Sequence, residues 1–253
     1  MKRILLLLII PAIIIGLASC TNPASQVGTP TNLAWTVGTN GIDLTLSWDA
    51  VDDADGYIVI VPAGDTVEPD TNTEYIFTDA EVGTYSVLAF ASAEYGTAAT
   101  LSNAPYEETT AMTIYPLSST SGGSGFDLDP TNGHAEIVSL ADDTYKETFD
   151  FYLNDDSSFV SADDYTFTSG NGVNTTGFIN NGTTEPTVCT QYVAGSTYNN
   201  LESCVQDNYL MVYFLGSTAT PLDNYGIIKI TAVTADNIVF TYKYQTLKGF
   251  RKF

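Results

Sequence analysis

The sequence predicts an all-β protein, a β-sandwich followed by a second, larger antiparallel β-domain, behind an N-terminal export signal. Three observations predict it. Apolar and polar residues alternate with a period of two through the body of the chain. Clusters of Gly, Asn, Asp and Pro interrupt that alternation every several residues. Beyond residue 20, no stretch shows the three-to-four-residue apolar spacing of an amphipathic helix.

The first twenty residues form a unit of their own. Met1-Lys2-Arg3 precedes an apolar run over 4–15 and then Gly16-Leu17-Ala18-Ser19-Cys20. A basic start, an apolar stretch and small residues before a cut site make a secretory signal. Pro11 inside the run, and a length below the ~20 residues of a spanning helix, argue against a permanent membrane helix. Leu17-Ala18-Ser19-Cys20 resembles the lipobox of bacterial lipoproteins. That resemblance implies removal of residues 1–19 and diacylglycerol on the Cys20 thiol, with acyl chains enough for stable anchoring. Thr21 in place of an Asp after Cys20 implies, by the same resemblance, sorting to the outer membrane. Residues 20–29 are small and polar, as a tether would be.

Residues 30–104 read as a β-sandwich. Ile42, Leu44, Leu46 and Trp48 alternate with Asp43, Thr45 and Ser47, so one face is buried and one is wet. Leu33, Trp35 and Val37 alternate in the same way, which makes Trp35 a core residue rather than an exposed sugar-stacking platform. Asp52-Asp53-Ala54-Asp55-Gly56 is turn chemistry. These acids, with Asp49, lack the ligand loop and terminal bidentate Glu of a calcium site. Residues 57–61, 74–78 and 83–91 supply further strands. Pro30-x-x-Leu33, Leu46-Ser47-Trp48-Asp49, Gly56-Tyr57 and Gly83-Thr84-Tyr85-Ser86-Val87-x-Ala89-x-Ala91 together resemble a fibronectin type III domain. The resemblance implies that Trp48 is the core tryptophan of the second strand. It also makes Tyr85 the corner tyrosine, whose hydroxyl bonds back to nearby backbone. That family consists mostly of spacer and binding modules, and the fold names no ligand.

Residues 105–125 read as a linker, because Ser118-Ser119-Thr120-Ser121-Gly122-Gly123-Ser124-Gly125 has flexible composition. Residues 126–253 read as the larger β-domain, with strands over 148–153, 209–215, 226–233 and 238–245. The last two flank a hairpin turn at 234–237, and the polar stretch 157–202 suits loops with short strands. Gly125-Phe126-Asp127-Leu128-Asp129, Phe149-Asp150-Phe151-Tyr152-Leu153, and the 225–230 and 240–245 strands resemble HmuY-like bacterial lipoproteins, an all-β family with haem-binding members. Axial ligation in that family needs two histidines, whereas this chain has one, His134, after an Asn132-Gly133 turn. Met112 and Met211 are the other side chains able to ligate iron, and Met211 lies in a run read as core. Asp127-x-Asp129 begins like a calcium loop, but Gly133 falls one place late and no acidic terminator follows, so a β-turn is expected there. Asp155-Asp156 is the remaining acidic pair.

Besides Cys20 the chain holds Cys189 and Cys204. In an exported protein such a pair predicts one disulfide, whose loop of about fifteen residues would contribute ~3 kcal/mol. A metal site would need further Cys or His ligands, and a thiol nucleophile would need His134 as its base.

The formal charge is −22, and removing Lys2 and Arg3 with the signal makes it −24. No Lys or Arg occurs over 4–145, whereas Lys243, Lys248, Arg251 and Lys252 crowd the C-terminus. Such a field repels nucleic acid and anionic headgroups. The acids are scattered, which suits adaptation to salt better than calcium binding. No Gly-x-Ser-x-Gly elbow accompanies His134. No phosphate-cradling glycine loop or metal-ligand cluster is present, and both tryptophans fall in the small sandwich, away from any glycosidase-like cleft. The expectation is a noncatalytic, lipid-anchored envelope protein without a cofactor, presenting its β-domains for binding or assembly with an envelope protein or glycan. The alternative is capture of a small ligand, haem or glycan, by the C-terminal domain. A pocket lined by several of the sixteen Tyr would favour capture, and a flat apolar patch would favour assembly.

Overall fold

In a computed structural model, residues 27–141, 143–145, 147–167, 170–194, 198–216 and 221–253 are described. The predicted signal, Cys20 and the tether up to residue 26 lie outside the described residues. The described chain is all-β, with no α-helix and two 3₁₀ turns at Asp143–Tyr145 and Ala162–Asp164.

Eight strands form the first sandwich: β1 (Ala34–Val37), β2 (Leu44–Ser47), β3 (Gly56–Ile60), β4 (Thr66–Asp70), β5 (Glu74–Phe77), β6 (Thr84–Ala91), β7 (Glu94–Tyr95) and β8 (Ala99–Ser102). One sheet runs β1-β2-β5; the other runs β4-β3-β6, with β7 and β8 both paired to β6. The period-two pattern places Leu44, Leu46, Val59, Tyr85 and Val87 between the sheets, where all are buried. Trp48 is buried with them, and Trp35 leans edge-on against Tyr85 at 4.9 Å, so both indoles pack in the core. The Tyr85 hydroxyl donates to the Glu81 carbonyl at 2.9 Å, the bond expected of a corner tyrosine. The acidic turn is used locally: Asp55 accepts from the Ser92 N–H at 2.6 Å, and Asp49 accepts from the Asn32 amide. Val27 is buried in the same core, so the last residues of the segment read as tether (20–29) belong to the domain.

The second body uses β9 (Tyr106–Ile114), β10 (Gly125–Leu128), β11 (Ala135–Val138), β12 (Phe151–Leu153), β13 (Ser158–Ser161), β14 (Thr166–Phe167), β15 (Gly170–Asn171) and β16 (Thr175–Asn180). It is completed by β17 (Leu201–Ser203), β18 (Tyr209–Gly216), β19 (Pro221–Val233) and β20 (Ile238–Tyr244). Two five-stranded sheets, β16-β18-β19-β20-β9 and β11-β10-β12-β13-β17, enclose one core; β14 and β15 form a small separate hairpin. Aromatic side chains dominate that core, with Phe126 stacked on Phe151 at 4.5 Å and Phe159, Phe178 and Phe240 around them.

Three expectations are corrected. The linker read over 105–125 contains β9, which pairs along β20 from Tyr106↔Tyr244 to Ile238↔Ile114. Its run Glu107-Glu108-Thr109-Thr110 is polar because β9 is an edge strand facing water. The Ser/Gly run after it is folded as well: the Tyr115 N–H bonds the Gly123 carbonyl, and a Cβ at Gly122 would collide with the Tyr115 ring.

The predicted Cys189–Cys204 disulfide is absent; both thiols are free and buried. Along β18, Leu210, Val212 and Phe214 point into the inter-sheet core, where Cys204 sits. Met211 and Tyr213 point to the outer face, where Cys189 packs under the loop that carries it. The sheet itself therefore stands between the two thiols. Burial raises both above the ordinary thiol range, Cys204 to about 12.

The boundary 126–253 also fails at its end. After β20 the chain turns back to the first sandwich and buries Phe250 completely among that domain's side chains, with Leu247 beside it. The Arg251 backbone N–H donates to the Gly41 carbonyl at 2.8 Å, and its guanidinium donates to the Asn40 and Cys189 carbonyls. Lys252 pairs with Asp79 at 3.0 Å, and the buried Gln245 amide donates to the Asn103 carbonyl at 3.0 Å. The basic C-terminus is thus a strap across both domains.

Candidate functional site

Near the end of the second sandwich lies a cavity of ≈ 600 Å³, walled by β10, the turn that follows it, the start of β11 and the segment before β12. The turn is held from behind. Asp129 accepts from the Thr131 N–H at 2.9 Å and from the Asn132 amide at 2.7 Å, which is the turn use expected of Asp127-x-Asp129. Gly133 has φ +81°, and a Cβ there would run into Tyr106. The buried Tyr242 hydroxyl donates to the Gly133 carbonyl at 2.8 Å.

His134 follows this turn and stands on the cavity wall, exposed. Its Nδ1 lies 2.9 Å from the Tyr106 hydroxyl, which itself donates to Glu108 at 2.8 Å. With that hydroxyl proton committed to Glu108, Nδ1 is the donor toward Tyr106. The hydrogen bond from Tyr106 holds the Glu108 carboxyl below its ordinary range.

Asp150 is the least exposed acid of the wall. It is 1 % exposed, accepts from the Leu128 N–H at 3.0 Å, and has the Asn174 amide at 3.5 Å. Burial raises its carboxyl well above the usual range, opposed by the Leu128 bond and reinforced by the charge of Asp127. Asp127 accepts from the Thr148 hydroxyl at 2.8 Å and is itself raised, first by burial. The Tyr244 hydroxyl is fully buried and has no hydrogen-bond partner; burial, then the charges of Asp150 and Asp129, raise its pKa.

Five carboxylates therefore line the cavity: Asp127, Asp129, Glu136, Glu147 and Asp150. Among the described residues, no Lys or Arg lines the cavity and none of the five is ion-paired. Leu128, Pro130 and Ala135 supply apolar wall. No group of three potential ligands converges as a metal site would require, among the described residues.

Of the residues singled out in the sequence, His134, Asp127 and Asp129 come together here, whereas Cys189, Cys204, Met112 and Met211 do not. Met211 is buried on the outer face of β18, under the Cys189 loop. Asp150, Asn174, Glu136 and Glu147 were missed. The signal for Asp150 was an acid inside the apolar run Phe149-Asp150-Phe151. The Tyr-lined pocket that would favour capture is not seen at this cavity among the described residues; elsewhere, Tyr213 stacks on Tyr192 at 4.1 Å and touches Tyr198 and Tyr225. Their polar ends are satisfied, for example Tyr213 by Asp223 at 2.6 Å.

No family model matches the chain, and no curated protein matches it. Solved structures with detectable similarity include one described as FN3tt mut, at 16% identity and TM-score 0.27, covering 31% of this chain and 94% of that one. Another is a DUF4466 family protein from Parabacteroides merdae, at 12% identity and TM-score 0.36, covering 88% of this chain and 95% of that one. Structural neighbours of this all-β chain thus include a fibronectin type III-like domain.

Proposed function

We propose that this is a noncatalytic, lipid-anchored envelope protein whose distal sandwich captures a small ligand in the cavity beside Asp150. The observation that carries the proposal is the cavity of ≈ 600 Å³ with convergent polar groups and a buried acid. Its volume falls within the ~300–1,000 Å³ of small-molecule sites. The lipobox sequence supports an anchor at Cys20 in the outer membrane, with the fibronectin type III-like sandwich as the spacer next to it. The resemblance to HmuY-like lipoproteins supports a ligand site in the distal domain. Haem itself fits the lining poorly, because its propionates would meet carboxylates. Assembly is the second reading: besides Ile76 and Tyr95 of the first sandwich, the exposed large apolar side chains Val188, Val193, Leu201 and Val205 all fall within 188–205.

The test uses the single histidine. His134 lines the cavity, so its imidazole NMR signals need no assignment and report occupancy directly. Titrating a panel of envelope saccharides, peptides and organic cations should move those signals saturably, and Ala135→Trp, which fills the cavity, should abolish the shift. Silence across the panel refutes capture. For the anchor, Cys20→Ala should move the protein from the membrane fraction to the soluble one; a variant that stays bound refutes it.

A further inference from the structure

We infer that the C-terminal strap is a clasp: docked, it holds the two sandwiches at one fixed angle, and released, it leaves them to swing about Ala104-Pro105. The clasp does not depend on what the cavity binds.

The strands do not hold the domains together. Among the described residues, no strand of β1–β8 packs along a strand of β9–β20. Asn103 is fixed to the first sandwich, where its side chain accepts from the Gly83 N–H at 2.7 Å and donates to the Glu81 carbonyl at 2.8 Å. That leaves Ala104 and Pro105 as the covalent connection to β9. A cleft of ≈ 300 Å³ opens between the β1–β2 turn, β19 and the strap, lined by Gly38, Gln191, Asp223, Lys248 and Arg251. Domains that meet over so little surface move relative to one another by default, and a few connecting residues suffice as the hinge.

What crosses this junction comes from the strap and the residue that starts it. Among the described residues, the hydrogen bonds between the sandwiches are made by residues 245–252, apart from one from the Gln191 amide to the Thr39 carbonyl. Gln245 is the inner pin. It is fully buried, and its amide donates to the Asn103 carbonyl at 3.0 Å and the Lys252 carbonyl at 3.1 Å. Its side-chain oxygen accepts from the Leu247 N–H at 3.0 Å, and the buried Asn224 donates to its carbonyl at 2.8 Å. Such a buried, satisfied network favours one relative orientation, because a shift of either sandwich strands a polar group without a partner.

The outer end locks differently. Phe250 fills the core of the first sandwich, while the Arg251 guanidinium ties the Asn40 carbonyl to that of Cys189 in the second. The Arg251 carbonyl in turn accepts from the Cys189 N–H at 2.8 Å. A Cβ on Gly41 would collide with the Gly249 carbonyl and the Arg251 side chain, so the strap lies directly on the turn. Docking therefore supplies a core side chain to the first sandwich and sets the angle of the second in the same step.

The test is ¹⁵N relaxation on the intact chain, with the Trp35 and Trp48 indole N–H groups as markers of the first sandwich. The wild type should tumble as one body, with one rotational correlation time for both sandwiches. Deleting residues 246–253 should separate it into two shorter times. That deletion also removes Phe250, so a second variant keeps the phenyl ring: a short Gly-Ser spacer inserted after Thr246, combined with Arg251→Ala, gives the strap slack. It should separate the times as well, and it decides alone if the deletion unfolds the first sandwich. Lys243→Ala breaks ion pairs inside the second sandwich and should leave one shared time. Two times in the wild type overturn the clasp, as does one shared time in the spacer variant. Separation by Lys243→Ala would assign the motion to general loosening and overturn it too.

Discussion

Replacing Phe250 by Ala tests whether the end of the chain completes the core of the first sandwich. Phe250 is fully buried among Leu44, Trp48, Tyr57 and other first-domain side chains, although it follows the last strand of the second domain. Truncating a buried phenyl ring costs about 3–5 kcal/mol, as lost transfer energy plus the cavity left behind. At about 2–4 °C per kcal/mol for a chain of this size, the transition should fall by roughly 6–20 °C. The assay has a built-in address, because both tryptophans, Trp35 and Trp48, lie in the first sandwich. Thermal unfolding followed by tryptophan fluorescence therefore reports that domain, while far-ultraviolet circular dichroism reports the whole chain. The loss should appear in the fluorescence transition, and deletion of residues 246–253 should enlarge it by removing the Arg251 and Lys252 contacts. An unchanged fluorescence midpoint, with destabilisation confined to the dichroism signal, would refute the strap.

Further outcomes follow from other residues. Cys189 and Cys204 should resist an alkylating reagent in the folded protein and both react in denaturant without reductant; a mass two hydrogens low with no labelling would restore the disulfide. Burial raises the Asp150 carboxyl, so its contribution to stability is fully present below the unfolded value and is lost as pH rises through the folded value. Asp150→Asn keeps an acceptor for the Leu128 N–H, and its stability relative to the wild type should rise in denaturant melts as pH increases from the ordinary carboxyl range through the raised folded value. A difference that does not change with pH contradicts this. Tyr85→Phe should cost about 1 kcal/mol, since the Glu81 carbonyl keeps its 2.8 Å bond from the Asn103 amide and is not orphaned. No loss in a urea melt would remove the corner bond from the stability of the sandwich.

Legibility differed by element. Strands β2 and β20 were readable because each buries one face against a continuous core, so alternation survives in the residue order, and β18 was readable as a short continuous apolar run because it is buried on both faces. The hairpin between β19 and β20 was readable from Thr234-Ala235-Asp236-Asn237, whose Thr234 side chain closes the turn on its own backbone. β9 was not, because an edge strand with Glu107 and Glu108 on its surface has the composition of a linker. At the candidate site, the turn carrying Asp129 and His134 was visible as local chemistry. Glu147 and Asp150, from the segment before β12, and Asn174, from the segment before β16, were invisible as partners of that turn, since they meet it only in the folded chain.

By itself, the sequence determined the all-β class and the turn positions, because period-two burial and turn propensity are local properties. The proposed export signal and Cys20 anchor rest on the linear sequence alone, since such signals are read by their order of residues. Only the tertiary structure decided the rest. The two thiols are separated by a sheet that cysteine counting cannot see. The basic C-terminus is a strap because Phe250 finds a core more than a hundred residues upstream. The scattered acids become a cavity wall because folding brings five of them, among the described residues, to one concavity. Each of these depends on which distant residues meet, and that is a property of packing rather than of residue order.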